Sequence, residues 1–417
     1  MRGTLSTRWG LLLLACACAG IVAPRAVGAE GEVLRPARAL EGRVTTAHVG
    51  EQALERLPWD SSIVRTHVNG GRPTAIAATY LMSKDLLVLE ENGRVTCLSR
   101  RDLQPKWKWT LAGSLHRAPS EGPGHYVFLV RMATGAYAVH ALSRTTGVDT
   151  EGFPVRLPFA VGGGVAANGS SVYVSSLGSV NDNKTLAGLN LANGRPAWGW
   201  YTKGLIAADP VFDLSGKLLI ASTDDGNVLA LLDGSDAPEA PSWQVGGLGA
   251  ITATPAVTPD HLIVCGHDGL VRCMDVRSGE VHWMQSMGDA IKSDPWVLGS
   301  TVTEERPSGV EGAEPVKVES YKGLVFARNA SRVCCYDLAD GKLLFRDEAG
   351  GKPLVRQGKW VVTLDRSRNA VLRDASDGYA VKARLPLGMF DLLPTNEADG
   401  AIYGVTADGW VVAATPR

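Results

Sequence analysis

Cys334 and Cys335 stand side by side, and adjacent thiols are the one arrangement in this 417-residue chain suited to exchanging electrons through a disulfide. Seven cysteines are present, at 16, 18, 97, 265, 273, 334 and 335. No Cys-x-x-Cys occurs, so the spacing of a tetrahedral zinc site is missing. The eight histidines, at 48, 67, 116, 125, 140, 261, 267 and 282, are scattered, and no His-Glu-x-x-His places two of them on one helical face. There is neither a Gly-x-Ser-x-Gly elbow to expose a nucleophile nor a phosphate loop. Asp224-Asp225-Gly226, Asp268-Gly269, Asp399-Gly400 and Asp408-Gly409 have the residue types of calcium loops. The spacing Asp-x-Asp-x-Asp-Gly is not met, and Asp-Gly between short apolar runs is hairpin-turn chemistry. These motifs assign no catalytic, cofactor-binding or metal-ligating residue.

The cysteines have a second property, which is their place in a recurring phrase. A Gly- or Asn-bearing turn is followed by a short apolar strand with a small residue at its centre, a polar turn, then Trp or Phe. The clearest copy is Gly266 to Trp283, and weaker ones run Glu91–Trp107, Lys184–Trp198, Asp225–Trp243 and Ala327–Phe345. The central positions are Cys97, Ala141, Gly188, Ala230, Cys273, Cys335, Arg373 and Ala413, at intervals of 38 to 47 residues apart from one of 62. A period of roughly 40 to 50 residues is that of a four-stranded propeller blade. Trp107, Trp198, Trp243 and Trp283 are each followed twelve residues later by Pro119, Pro210, Pro255 and Pro295. Proline suits the start of a strand, where no ladder donor is needed.

The elements that must position any site are therefore short strands. The fifth copy divides into Thr252–Val257, His261–Cys265, Leu270–Val276 and Val281–Gln285, with turn residues between them. Only Gln52–Leu57 reads as a helical turn. The fold expected is all-β, an eight-bladed propeller of four-stranded antiparallel blades over 71–417, with seven blades as the alternative. Residues 301–319 explain the long interval as a loop insertion, and Gly162-Gly163-Gly164 reads as a blade connection. The last copy lacks an outermost strand, because four residues remain after Ala413. Ser61–Val68, in the N-terminal segment 30–70, has strand composition where that strand is needed, and is expected to close the ring. In a strand Arg332–Asp337, Cys334 and Cys335 point to opposite faces, which opposes a disulfide between them. Cys97, Cys273 and Cys335 then act as small hydrophobes at a tight packing position.

Arg2 and Arg8, the apolar run Leu11–Ala23 and the small residues Val27-Gly28-Ala29 make 1–29 a secretory leader, cleaved before Glu30. Leu13-Leu14-Ala15-Cys16 offers the alternative of a lipid anchor on Cys16. Thirteen apolar residues fall short of the ~20 needed for a membrane span, so a soluble exported protein, periplasmic or extracellular, is expected. Lys and Arg number 42 against 43 Asp and Glu, a balance that gives no reason to expect nucleic acid. Five cysteines remain after the leader, so at least one thiol is unpaired in an oxidising compartment. The stretch Glu304–Glu319 is acidic and reads as a solvated loop.

The repeated phrase resembles that of the pyrroloquinoline-quinone-like (quinoprotein-like) propellers over about residues 70–417. The resemblance implies that Trp107, Trp198, Trp243 and Trp283 dock against the neighbouring blade, with Phe153 and Phe345 as weaker equivalents. Its dehydrogenase members oxidise alcohols with the quinone and calcium, and carry an adjacent-cysteine disulfide near that cofactor. Its periplasmic outer-membrane assembly-scaffold members are eight-bladed and non-catalytic. The dehydrogenases have much longer, decorated blades, so the length here favours the scaffold type, with no cofactor and with another envelope or secreted protein as partner. A quinone- or metal-dependent oxidoreductase or a ligand-sensing propeller is the rival reading. Propellers bind at the mouth of the ring, which selects the loops into the innermost strands. The rim residues are Lys203, Asp209, Thr254, Asp289, Lys292, Asp294 and Trp296, the last either an exposed anchor or core beside Pro295. Oligomeric state is left open.

Overall fold

Turn residues spaced every five to eight positions break the chain into strands too short to fold alone, so each hairpin must find cover. The computed structural model describes residues 46–177, 186–306, 316–348 and 350–417. Within them the strands form eight antiparallel sheets. Blade 1 is Ile76–Leu81, Asp85–Glu90, Arg94–Ser99 and Pro105–Thr110, paired in chain order from the innermost strand outward. Blades 2 to 7 repeat this pattern over 113–157, 161–200, 211–245, 256–286, 296–347 and 352–386. Blade 2 differs in that its innermost strand is split into Gly113–Leu115 and Ser120–Glu121. The expected leader 1–29, with Cys16 and Cys18, lies outside the described residues.

Blade 8 takes Ile402–Val405 and Trp410–Pro416 from the end of the chain and Ser61–His67 from its beginning. The ladder runs in unbroken register from Ser61↔Pro416 to His67↔Trp410. The closing strand is thus where the missing outermost strand requires it, one residue shorter than Ser61–Val68. Val68 has left the ladder, though its N–H still donates to Gly409 O at 3.1 Å. Eight apolar clusters, one at each seam between neighbouring blades, make the ring continuous.

The recurring phrase is the code of those seams. Trp107, Trp198, Trp243 and Trp283 are each 8% exposed, and each indole N–H donates across the seam to the following blade. The acceptors are Arg144 O at 2.9 Å, Gly234 O at 3.1 Å, Val276 O at 3.1 Å and Leu338 O at 2.8 Å. Cys97, Ala230, Cys273 and Cys335 face Trp107, Trp243, Trp283 and Phe345 across the ladder of their own blade, and a small side chain leaves room for the ring. A turn glycine of the next blade lies flat on the indole. A Cβ on Gly279 or Gly341 would come within 2.6 Å of Trp243 or Trp283, and both glycines have positive φ. The phrase fails at Arg373, where the guanidinium instead stacks 4.5 Å over Phe345 and pairs with Asp347 at 3.1 Å. At the closing seam Arg100, 7% exposed, donates to Met82 O at 2.8 Å and Asn396 Oδ1 at 2.9 Å, and pairs with Asp399 at 2.6 Å.

All five described cysteines are buried and unpaired. Cys334 packs in the seam toward blade 5 and Cys335 in the seam toward blade 7, the opposite-face placement expected of strand neighbours. Four expectations need correction. The helical turn is a full helix, Thr46–Leu54, whose Ala47, Ala53 and Leu54 cover the seam of blades 7 and 8. The innermost strand of blade 5 is only Ala256–Val257, because Thr252–Thr254 belong to the connector into it. Residues 301–306 and 316–319 are not loop but the far ends of a long hairpin, Trp296–Arg306 with Val316–Arg328, since alternating Val and Thr there continue the ladder. Gly162-Gly163-Gly164 is not a connection but the centre of the strand Val161–Ala167. A Cβ at Gly164 would lie 2.6 Å from the Asp209 carboxylate, so the run is needed for close approach by blade 4.

Candidate functional site at the mouth of the ring

Register decides which loops share a face. The first residue of an innermost strand opposes the last residue of the second strand, as Lys352 opposes Leu364. The last residue of an outermost strand opposes the first of the third, as Ser286 opposes Leu270. The connectors between blades and the turns between second and third strands therefore lie on one face, called here the connector face. All seven expected rim residues belong to it.

The structure joins three of them. Asp209 N–H donates to Thr254 Oγ1 at 3.2 Å, and Thr254 N–H donates to Asp294 Oδ1 at 2.6 Å. Asp209, Thr254 and Asp294 each directly precede a proline, which favours an extended backbone there. Arg117, which the rim list lacks, completes the arc from blade 2, with Nε 3.8 Å from Asp209 and Nη2 donating to Ala207 O at 3.2 Å. Lys203, Asp289 and Lys292 are exposed on the same connectors and stand outside this chain of bonds. Trp296 is half-buried against the seam of blades 6 and 7, with Arg328 5.9 Å over its ring, so it is a seam residue rather than a free anchor.

Electrostatics set the arc apart. Loss of water around Asp209 pushes its carboxyl up to about 6, Asp294 adds to the rise, and Arg117 and the Gly164 N–H oppose it. Asp294 is more exposed, yet partial burial raises its carboxyl too, against the pull of the Thr254 N–H and Arg117. Glu397, beside Val297 N–H, is likewise pushed up to about 7. Below this arc a cavity of about 650 Å³ runs along the innermost strands of blades 2, 3 and 4 and touches Thr254. Asp209 Oδ1 has no hydrogen-bond donor. An acid raised by burial is stabilised in its protonated form, so the folded state loses stability as pH rises through about 6. Asp209→Asn should therefore raise stability by ~2 kcal/mol at pH 8 and by nothing below the unfolded value near 4. Urea midpoints at pH 8 and pH 3.5 check this, and equal shifts at both would refute it.

An apolar group flanks the arc. Leu177, Tyr201 and Leu205 are 46%, 60% and 41% exposed. Tyr201 and Leu205 share the connector that carries Lys203, and Leu177 reaches it across Gly162, whose Cβ would lie 2.8 Å from Leu177 Cδ2 and 3.0 Å from Ile206 O. Among the described residues no three His, Cys, Asp or Glu gather as a metal-ligand group, and no helix is long and apolar enough to cross a membrane.

Eight antiparallel blades, seven built on the four-stranded plan and the eighth three-stranded, with indole docking at four seams and closure by the N-terminal strand, define a quinoprotein-like propeller. A sequence-family model described as outer membrane protein assembly factor BamB matches residues 47–309. The chain belongs to that family. A curated relative, outer membrane protein assembly factor BamB of Yersinia pestis, is 27% identical over 269 residues, 60% of this chain and 63% of the relative. The match thus spans just under two thirds of that relative's length. Among solved structures, BamB from Moraxella catarrhalis superposes with a TM-score of 0.57 at 17% identity, covering 85% of this chain and 96% of that one. The computationally designed Ika8 protein superposes at 0.51 with 13% identity, covering 83% of this chain and 97% of that one. The C-terminal WD40 domain of Sif2 does so at 0.51 with 12% identity, covering 85% and 99%. These superpositions bear on the fold alone.

Proposed function

We propose that the chain is an exported, non-catalytic scaffold of the cell envelope that holds a protein partner on its connector face during assembly of outer-membrane proteins. The observation that carries this reading is the exposed apolar group Leu177, Tyr201 and Leu205 beside Lys203. Interfaces favour aromatic residues such as Tyr at an apolar centre with a polar rim, and the solved assembly factor of Moraxella catarrhalis shares its fold. Asp289, Lys292 and Asp294 supply charge on the neighbouring connectors. The acidic arc of Asp209 and Asp294 favours a basic contact from the partner. No cofactor is invoked, since the buried thiols and the indoles are engaged in packing. The test is loss and complementation. Cells lacking the chain should contain less outer-membrane protein, and the wild-type chain should restore it where a Tyr201→Ser, Leu205→Ser double variant does not.

A further inference from the structure

We propose that the connector face at the seam of blades 6 and 7 carries a binding site for a phosphate group, formed by Arg328, Lys352, Arg366 and Arg368. This goes beyond the scaffold reading and uses a different part of the face. Arg328 ends the second strand of blade 6, and Lys352 begins the innermost strand of blade 7. Arg366 and Arg368 lie in the turn between the second and third strands of blade 7, on the same connector face. The geometry draws them together across the seam. Arg366 Nη2 donates to Ala330 O at 3.3 Å, two residues beyond Arg328. The same guanidinium lies against Gly350, two residues before Lys352, where a Cβ would come within 2.7 Å of it. Arg328 is held by its stacking on Trp296. Arg368 donates to Phe390 O and adopts a φ of 62°, a conformation that arginine rarely takes.

The charge is uncompensated. Among the described residues none of the four cations pairs with a carboxylate. The nearby acids are committed elsewhere: Asp365 to Arg384 at 3.1 Å, and Glu348 to Arg346 and Arg332 at 3.9 and 4.0 Å. In a chain with a net charge of −1, four cations without one acid are a local departure. Lys352 is half-buried, and its ammonium is lowered first by burial and then by Arg368 and Arg328. A compact multivalent anion relieves all of these at once. A phosphate, with three oxygens and up to two charges, fits a guanidinium cluster around one ammonium better than an extended acidic chain does.

The test titrates the full mature chain with inorganic pyrophosphate, and separately with vesicles of phosphatidylglycerol or of phosphatidylcholine alone. Lys352→Gln and Arg366→Gln are compared with Lys217→Gln, an exposed lysine of the opposite face. The expected result is binding that weakens at least tenfold in the first two variants and not in the third. Pyrophosphate binding without vesicle binding assigns a soluble phosphate. Binding to phosphatidylglycerol but not phosphatidylcholine vesicles, lost in Lys352→Gln, assigns a lipid headgroup. No binding of either probe, or equal binding of triglutamate, overturns the proposal. In anion-free buffer Lys352→Gln should melt at or above the wild-type temperature, since a half-buried, repelled cation is removed. A lower melting temperature would make Lys352 a structural residue and also overturn it.

Discussion

A chain that begins at Asn69 should fail to form a stable monomeric ring, whereas one that begins at Val44, with every described strand present, should form it. Removing Ser61–His67 leaves blade 8 with Ile402–Val405 and Trp410–Pro416, and a two-stranded hairpin is marginal in water. The outer edge of Trp410–Pro416 then presents unpaired N–H and C=O groups, a template for pairing between chains. The damage spreads, because Arg100, Asn396 and Tyr403 lock blade 8 to blade 1. If blade 8 loosens, that buried guanidinium loses partners whose removal costs ~3–5 kcal/mol. The total expected loss exceeds ~5 kcal/mol, beyond what point substitutions ordinarily cause. Size-exclusion chromatography and thermal melts decide it. A monomer from the Asn69 chain with an unchanged melting temperature would show that ring closure does not depend on the N-terminal strand.

The second large effect belongs to the seam indoles. Trp283→Ala should cost ~3–5 kcal/mol, the range for truncating a buried aromatic without collapse of the site. Collapse is opposed here, because the ring packs between the rigid strand carrying Cys273 and the turn carrying Gly341. The substitution also strands Leu338 O, which accepts from the indole at 2.8 Å. Trp296→Ala is the comparison, since Trp296 is only half-buried and, among the described residues, its ring makes no such bond across a seam. Urea midpoints should separate the two clearly. Equal losses would mean that the repeated Trp is not the residue that joins the blades.

The architecture was legible because four seams make the same demand, at Trp107, Trp198, Trp243 and Trp283. A small residue opposite an indole, with a turn glycine to cover it, leaves a sequence signal wherever blades meet in that way. Arg373 broke the signal, because Phe345 accepts a stacked guanidinium in place of the glycine. The mouth was harder to read, since its residues differ from blade to blade. Asp209, Thr254 and Asp294 were picked as polar residues of the loops into the innermost strands, and each directly precedes a proline of the Trp-to-Pro spacing. Lys352 also precedes a proline, but Pro353 follows Phe345 after a shorter connector, so the spacing passed over it. Arg117 stands one place further from Pro119, and Glu397 lies in the connector between Ala380–Pro386 and Ile402–Val405, so neither had a repeat position to mark it. The hairpin around 301–319 was misread because Glu, Gly and Pro dominate its composition while Val and Thr at its flanks carry the ladder.

The central claim is that the connector face serves assembly of outer-membrane proteins, and their abundance in cells measures it most directly. Cells lacking the chain are compared with cells restored by wild type, by Tyr201→Ser with Leu205→Ser, and by the opposite-face control Leu232→Ser, 55% exposed in the blade 4 strand Val228–Leu232. The account predicts lowered outer-membrane protein without the chain, full recovery with wild type and the control, and failure with the rim variant at an equal cellular level of folded chain. Unchanged outer-membrane protein in the absence of the chain, or recovery by the rim variant equal to wild type, would contradict it.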